Sequence, residues 1–496
     1  MKKLNYVALI FLIFFSPLSI LAQNNPDSVY QHVTLNQCIA YALINQPAAR
    51  QAAIDKQINE RNIRIGLADW LPQLSGAGVY DRYFKGSPFG GTTASGTTAT
   101  SGTTTGTGTS TTGTGTGSTT GTGTGTTTGT GTGTTTGTGT STTTPATSIG
   151  PNENITEFST IGLAASQVIY NNDVVLAARA KKFSRQYYDE NLTSSQINVI
   201  ADVSKAFFNV LLSQKQLAIS NEDIVRLKRS LKDAYSQYQA GTSDKTAYKQ
   251  ATIALNNAIA TQKQTQEAIK SNLAALKQAM GVPQAGTLSL AYDSTRYEQE
   301  AFIDTNQTLH ITNRIEYRLL QSQKSLQGLN VNYYKYGFLP SLSAVSDYSL
   351  IYFGNSFPGF YKTNYPNFYA GLTLSVPIFQ GNKRLHNLSK ARLQVERIDL
   401  DIINEQNTIN TEYVQALASY KSNYTDWKLL QQNVDLAKDV YKVVSLQYRE
   451  GIKTYLDVIN AESDLRTSEL NYYNVLFQVL SSKIDLEKAL GILTVQ

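Results

Sequence analysis

The chain repeats itself, and the repeat limits the fold more than any other feature. Trp70-Leu71-Pro72-Gln73-Leu74-Ser75 returns as Phe338-Leu339-Pro340-Ser341-Leu342-Ser343, an offset of 268. Val168-Ile169-Tyr170-Asn171 returns as Pro377-Ile378-Phe379-Gln380 at 209. Gln237-Tyr238 with Gly241 matches Gln447-Tyr448 with Gly451, and Met280-Gly281 matches Leu490-Gly491, both at 210. Two halves with one element order predict two copies of one structural unit. The fall in offset from 268 to 209 marks an insertion of 59 residues in the first half. That insertion holds the stretch Gly90 to Thr144, built only of Gly, Thr, Ser and Ala. With almost no apolar surface to offset ordering entropy, it is expected to be a solvated, disordered loop. Its GxGxxG-like spacings are compositional, because no strand precedes them and no Lys follows.

Each half reads as helix, strand, loop, strand, long helix, turn, helix. The clearest strand runs from Phe368 to Ile378, with Phe368, Ala370, Leu372, Leu374, Val376 and Ile378 on one face. Asn367, Tyr369, Gly371, Thr373 and Ser375 alternate with them. Apolar outward and small or polar inward is the pattern of a lipid-facing barrel strand. Leu342 to Tyr352 alternates on even positions with a lapse at Ser346, and Glu157 to Ile169 on odd positions through Ile161, Leu163 and Ala165. A less regular strand follows Pro72.

The helices are longer than a globular domain uses. Val174 to Ala240 contains no Gly or Pro, which allows a helix of roughly 100 Å. Val203, Ala206, Val210, Ser213, Leu217, Ser220, Ile224, Leu227, Leu231, Ala234 and Tyr238 cover 35 residues in ten steps, a period of 3.5. That is the coiled-coil value. The second half repeats it from Tyr413 to Tyr448, and again from Val458 to Leu486. The long helices (174–240 and 383–450) are each matched by two shorter ones, at 36–68 and 244–280, and at 307–336 and 454–490.

Composition narrows the function. Charged residues are 16% of the 496, and a net charge of +6 has no basic cluster to mark a nucleic-acid partner. One Cys and three scattered His argue against a disulfide, a metal site or a redox motif. No nucleophile–base pair or phosphate loop appears, so neither an enzyme nor a cofactor is expected. Lys2 and Lys3, the apolar run Val7 to Ile20 and Ala22 read as a signal peptide over 1–22. No later segment is apolar enough to span a bilayer as a helix. A membrane role would therefore fall to a closed sheet, since open edges cannot sit in lipid. Four strands per chain cannot close, so several chains must share one sheet. Three would give twelve strands, an even number above the usual minimum of eight.

Val33-Thr34-Leu35-Asn36-Gln37-Cys38-Ile39-Ala40-Tyr41-Ala42-Leu43 with Asn45-Gln46-Pro47 resembles the first-helix signature of the TolC-like outer-membrane efflux family. Gln447-Tyr448-Arg449-Glu450-Gly451, running on to Leu456-Asp457-Val458-Ile459-Asn460-Ala461, resembles it too. The resemblance covers nearly all of the mature chain outside the Gly/Thr stretch. It implies a mixed α+β membrane protein: a trimeric, 12-stranded transmembrane β-barrel (four strands per chain) continued by a long α-helical coiled-coil barrel, built from two internal repeats. The expected division is a signal peptide (1–22), a first repeat (23–281) with its extracellular-loop insertion (90–144), an equatorial linker (282–306), and a second repeat (307–496) with its β-hairpin at 340–378. The equatorial belt would comprise Pro283 to Asp304 and residues near each terminus.

The resemblance further implies a homotrimer in the cell outer membrane, with its helical barrel in the periplasm. It would dock a periplasmic adaptor and an inner-membrane transporter, as the passive exit duct of a tripartite efflux or type I secretion system. Asp457 matches an aspartate that rings the closed entrance in that family. Three carboxylates on one axis would repel, raise one another's pKa and attract cations. Family members often carry a second Asp one turn deeper, where this chain has Asn460. Ala240-Gly241-Thr242 and Glu450-Gly451-Ile452 match the adaptor-contact turns, and they also suffice as plain helix C-caps. A surface adhesin with a Thr/Gly stalk on a coiled-coil scaffold is the alternative reading.

Overall fold

The computed structural model describes residues 30–84, 157–242, 244–283, 288–291, 294–354 and 356–493. The predicted signal peptide, the Gly/Thr insertion and parts of the predicted belt lie outside them. In chain order the first half holds β1 (Tyr30–Val33), α1 (Leu35–Asn45), α2 (Pro47–Ala68), β2 (Gln73–Arg82), β3 (Glu157–Tyr170), α3 (Asn172–Gln239) and α4 (Lys245–Met280). Then come β4 (Leu288–Leu290), α5 (Ser294–Glu300), α6 (Ile315–Tyr336), β5 (Ser341–Gly354), β6 (Tyr365–Ser375), α7 (Lys383–Arg449) and α8 (Tyr455–Leu490). These elements form two compact units. One is helical, drawn from 1–71, 169–342 and 374–496; the other is a sheet, from 72–168 and 343–373.

The sheet has four strands in the order β2-β3-β5-β6. β2 and β3 pair antiparallel, with Leu74 opposite Ala165, Gly76 opposite Leu163 and Gly78 opposite Ile161. Leu163 and Ile161 fill the space above the two glycines; a Cβ at Gly76 would meet Leu163 Cδ2 at 3.4 Å. The next contact demands a glycine. A Cβ at Gly162 would lie 2.9 Å from Ser349 Cβ and 3.0 Å from the Tyr348 carbonyl oxygen, so β3 and β5 could not approach this closely. Phe353 and Tyr365 then stack across β5 and β6, with centroids 4.4 Å apart. These three contacts assign the two faces. Leu74, Ile161, Leu163, Tyr348, Phe368, Leu372 and Leu374 share one face and are all exposed. Gln73, Ser75, Thr160, Gly162, Ser349, Asn367 and Thr373 share the other. The outer strands β2 and β6 are exposed along almost their whole length. β6 stops at Ser375, three residues short of the predicted end, because Pro377 has no N–H to offer the ladder.

In the helical unit the predicted helix 36–68 is two helices. Pro47 restricts Gln46 to extended backbone (φ −66°, ψ 127°), and the Gln46 side chain accepts from Ala49 N at 3.1 Å. The predicted helix at 307–336 begins at Ile315, after a single 3-10 turn at Ile311–Asn313. A short parallel pairing of β1 with β4 was not anticipated from the sequence. The long helices contain the expected seams, except that Tyr238, the last predicted seam residue of α3, is exposed. Every seam position from Tyr413 to Tyr448 on α7 is buried or half-buried, and on α8 the seam buries Val458, Ala461, Leu465, Tyr472, Val479 and Leu486. Tyr420 ties the segment before α6 to α7, donating to Ala301 O at 2.8 Å and accepting from Ile303 N at 3.0 Å.

Four helix ends close the same way on a glycine, whereas α6 ends at Gly337 with φ of −67° and makes no such cap. Gly241, Gly281, Gly451 and Gly491 have φ of 72°, 72°, 76° and 71°, and the residue after each donates its N–H to a carbonyl five residues back. This is the Schellman cap, which only glycine forms without strain. Two of the caps face packed backbone. A Cβ at Gly281 would lie 2.8 Å from Asn45 O, and one at Gly491 would lie 3.1 Å from Asn313 O. Gly281 and Gly491 are separated by 210 residues, Asn45 and Asn313 by 268, which are the offsets of the sequence repeat.

Alanine substitution should therefore separate the caps. At Gly241, where nothing lies within 4 Å, Gly241→Ala should cost only the left-handed backbone strain, about 1 kcal/mol. Gly281→Ala adds a backbone collision and should cost at least ~3 kcal/mol. Thermal melts of the two purified variants measure the difference.

Candidate functional site: the paired helical turns

The first turn runs from the end of α3 through Ala240, Gly241 and Thr242 to α4. Thr242 Oγ1 donates to Gln237 O at 3.0 Å, doubling the cap made by its own N–H. Asp244 precedes α4, and its carboxyl accepts from Thr246 Oγ1 at 2.7 Å, which holds it below the ordinary range. The second turn runs from the end of α7 through Glu450, Gly451 and Ile452 to α8. Ile452 is exposed, and Ile452 N donates to Gln447 O at 2.9 Å.

Asp457 sits at the third position of α8 and closes a capping box with Thr454. Its Oδ2 accepts from Thr454 N at 2.9 Å and from Thr454 Oγ1 at 2.8 Å. These bonds, the backbone one first, lower its pKa. Within one protomer Asp457 is thus an anion engaged with its own helix start. Mutual repulsion in a ring would act against that lowering. Asn460, one turn on, is exposed.

The two turns are joined within the protomer by side chains that the sequence reading used as repeat and seam markers, Gln237 and Tyr448, and by others that it did not single out, Tyr455 and Glu462. Tyr448 Oη donates to Gln237 Oε1 at 2.8 Å. Tyr455, 5% exposed, packs with Ala234 of α3 and Ala251 of α4, its ring 5.9 Å from that of Tyr448. Burial raises both phenols. Seven residues beyond Tyr455, Glu462 is buried against Arg226 of α3, with Arg226 Nε 3.4 Å from Glu462 Oε1. The position of Tyr448 in the α7 seam was a usable signal for this contact. Glu462 was less legible, since it neighbours the seam residue Ala461 without belonging to the apolar pattern.

Among the described residues, no group of three or more His, Cys, Asp or Glu is placed to hold a metal ion. Among them, too, no helix is long and apolar enough to cross a membrane.

Comparison with known proteins gives this geometry its context. The family model described as outer membrane efflux protein matches residues 128–282 and 328–492, most of both repeats. The chain belongs to the outer membrane efflux protein family. The solvent efflux pump outer membrane protein SrpC of Pseudomonas putida is 24% identical over 331 residues, 64% of this chain and 68% of that one. The outer membrane protein TolC of Vibrio cholerae is 23% identical over 356 residues, 69% and 78% of the two chains. Among solved structures, a membrane protein from Pseudomonas aeruginosa superposes with a TM-score of 0.68 at 17% identity, covering 95% of this chain and 97% of that one. CusC superposes with a TM-score of 0.65 at 18% identity, with the same coverage. The fold is therefore that of the efflux channels, and membership locates the chain in the outer membrane.

Asp457→Ala should speed amide exchange in the first turn of α8 at pH 7, with little change beyond Ala461. Because the folded carboxyl is depressed, the wild-type cap is complete well above the ordinary value of 3.8 and is lost as pH falls below it. Exchange in that turn that ignores both the substitution and acid would remove the capping role.

Proposed function

We propose that three copies of this chain build an outer-membrane exit duct. It is passive: a periplasmic adaptor and an inner-membrane transporter deliver cargo to it. The observation that carries this reading is the pair of bare edges. Among the described residues the sheet ends at β2 and β6, with no further strand laddered onto either. Each of these strands is continuous in sequence with a helix that is apolar on two sides.

α7 buries Ala391, Ile398, Ile402, Ile409, Tyr420, Trp427 and Val434 on one face. Leu385, Leu393, Leu400, Ile403, Leu429, Leu436 and Val443 are each more than half exposed. At 3.6 residues per turn the exposed set falls within about a third of the circumference, roughly opposite the buried set. α2, which leads into β2, buries Ala49 and Ala52 but leaves Ile54, Ile58 and Ile65 half exposed or more. In a second copy, α2 is the partner proposed for the bare stripe of α7, and β2 the partner proposed for the edge of β6. Twelve strands from three copies would close the sheet, its exposed apolar face turned to lipid.

On this reading Asp457 contributes to a carboxylate ring at the entrance, with Asn460 forming an uncharged second level. Ala240, Gly241, Thr242, Glu450, Gly451 and Ile452 form the surface that meets the adaptor. The exposed Ile452 supplies apolar area there. Opening requires the α7/α8 pair to move relative to the α3/α4 pair, so the Tyr448–Gln237 bond is a contact that opening must break.

Leu429→Asp and Leu436→Asp lie on the bare stripe and should spare the protomer's own core. Together they should shift protein from a three-copy to a one-copy species. Loss of one buried leucine alone is worth about 2 kcal/mol, roughly thirtyfold in association. Light scattering on the detergent-extracted variants reads the mass. An unchanged three-copy mass would count against this edge as the contact.

A further inference from the structure

A second cluster of charge lies away from the turns, between α3 and α8. Arg226 of α3 is ringed by carboxylates: Asp223 at 3.6 Å, Glu222 at 3.9 Å, Glu462 at 3.4 Å and Glu469 at 4.0 Å. Arg466 of α8 reaches Asp223 at 3.3 Å. Four carboxylates thus share two guanidinium groups. Asp223 and Glu462 are each 2% exposed. Neither oxygen of Glu462 has a hydrogen-bond partner, and nor do Glu469 Oε2, Arg226 Nε or Arg226 Nη2. The Arg226 ion pairs are close in distance but lack hydrogen-bond geometry, whereas Arg466 Nη1 donates to Asp223 Oδ2. α7 faces the cluster with Tyr441 and Lys438, and α8 adds Tyr455, whose hydroxyl is also buried without a partner. Arg229 and Arg449 lie near Tyr441.

Four carboxylates crowd the two guanidinium groups, and the buried Glu462 has both oxygens unmatched by any hydrogen-bond donor. A buried carboxylate in such a place is costly, and the neutral acid is not, since its O–H adds a donor among surplus acceptors. We propose that the Glu462 cluster is a proton-operated latch: uptake of a proton at Glu462 tightens the α3–α8 contact, and its loss loosens it. Burial first, then the negative charge of Asp223, pushes the Glu462 carboxyl up to about 7, and burial raises Glu469 in the same direction. A raised folded value means the stabilisation is complete below the ordinary 4.5 and is lost as pH rises through about 7. If opening returns Glu462 to its ordinary value, the opening equilibrium should rise about tenfold between pH 6 and pH 8. The consequence for transport rests on the duct reading above, because α3 and α8 belong to the two helix pairs that must separate. The latch itself does not rest on it.

Hydrogen exchange on the intact assembled protein tests the latch, with rates corrected for the intrinsic pH dependence of amide exchange. Peptides covering 219–230 and 455–470 should show the tenfold rise in wild type and a flat profile in Glu462→Gln. A wild type with no rise, or a Glu462→Gln profile that keeps it, overturns the proposal. Asp223→Asn gives an independent arm: removing the neighbouring charge should move the midpoint below that of wild type, and an unmoved midpoint counts against the cluster. Bilayer conductance of the same samples separates the two readings. No current at either pH would sink the duct while leaving the exchange result to decide the latch.

Discussion

An unpaired strand edge is the constraint on which the rest of this structure depends. Every backbone N–H and C=O on the outer side of β2 and β6 needs a partner, and lipid supplies none. Four strands cannot curl far enough to pair with themselves. On the proposed three-copy assembly the protomer is a fragment of a sheet, in hydrogen-bonding terms, and its stability cannot be separated from assembly. The glycines of the sheet fit this view. Gly162 lets β3 and β5 approach closely, and Gly76 and Gly78 leave room for Leu163 and Ile161 on the apolar face.

The same incompleteness is written into the helices. α7 looks weakly amphipathic if a single apolar face is sought, because two stripes on opposite sides cancel. In a globular protein such a helix would be central and covered on all sides. Here one stripe packs on the protomer and the other is exposed along 59 residues, from Leu385 to Val443. A helix that is part of a wall must be apolar toward both neighbours and polar toward the two remaining sides. That is the distribution found.

Much of this was legible from residue patterns. The offsets 268 and 210 recur in three dimensions, because a repeat preserves its backbone exceptions as well as its apolar periodicity. Gly281 and Gly491 close equivalent helices against equivalent chain breaks. The period of 3.5 located the buried seams on α7 and α8. Local chemistry was easier to miss. The break at Gln46 follows from Pro47, whose effect on the preceding residue outweighed a continuous helical pattern. The early end of β6 follows from Pro377, where alternation of side chains persisted beyond the last possible backbone bond. The Arg226 cluster was illegible for a different reason. Its members come from helices more than 200 residues apart in sequence, and each alone resembles an ordinary surface charge.

The two carboxylates of α8 nearest the turn carry the functional argument furthest, because one helix start gives them opposite environments. Asp457 is at the surface and accepts two bonds from Thr454, so its charge is held in place. Glu462, five residues on, is sealed from water beside the like charge of Asp223, so its charge is expensive. Environments that push two acids apart are how one segment can hold both a fixed charge and a variable one. A fixed anion at the exposed end suits attraction of cations or a contact with a partner, and acidification must be severe before it is lost. A variable charge inside the α3–α8 contact acts on the packing of the helices themselves. Since Tyr455 opens the same helix and touches α3, α4 and Tyr448, a change in the packing of α8 on α3 around Glu462 bears directly on the side chains that join the turns.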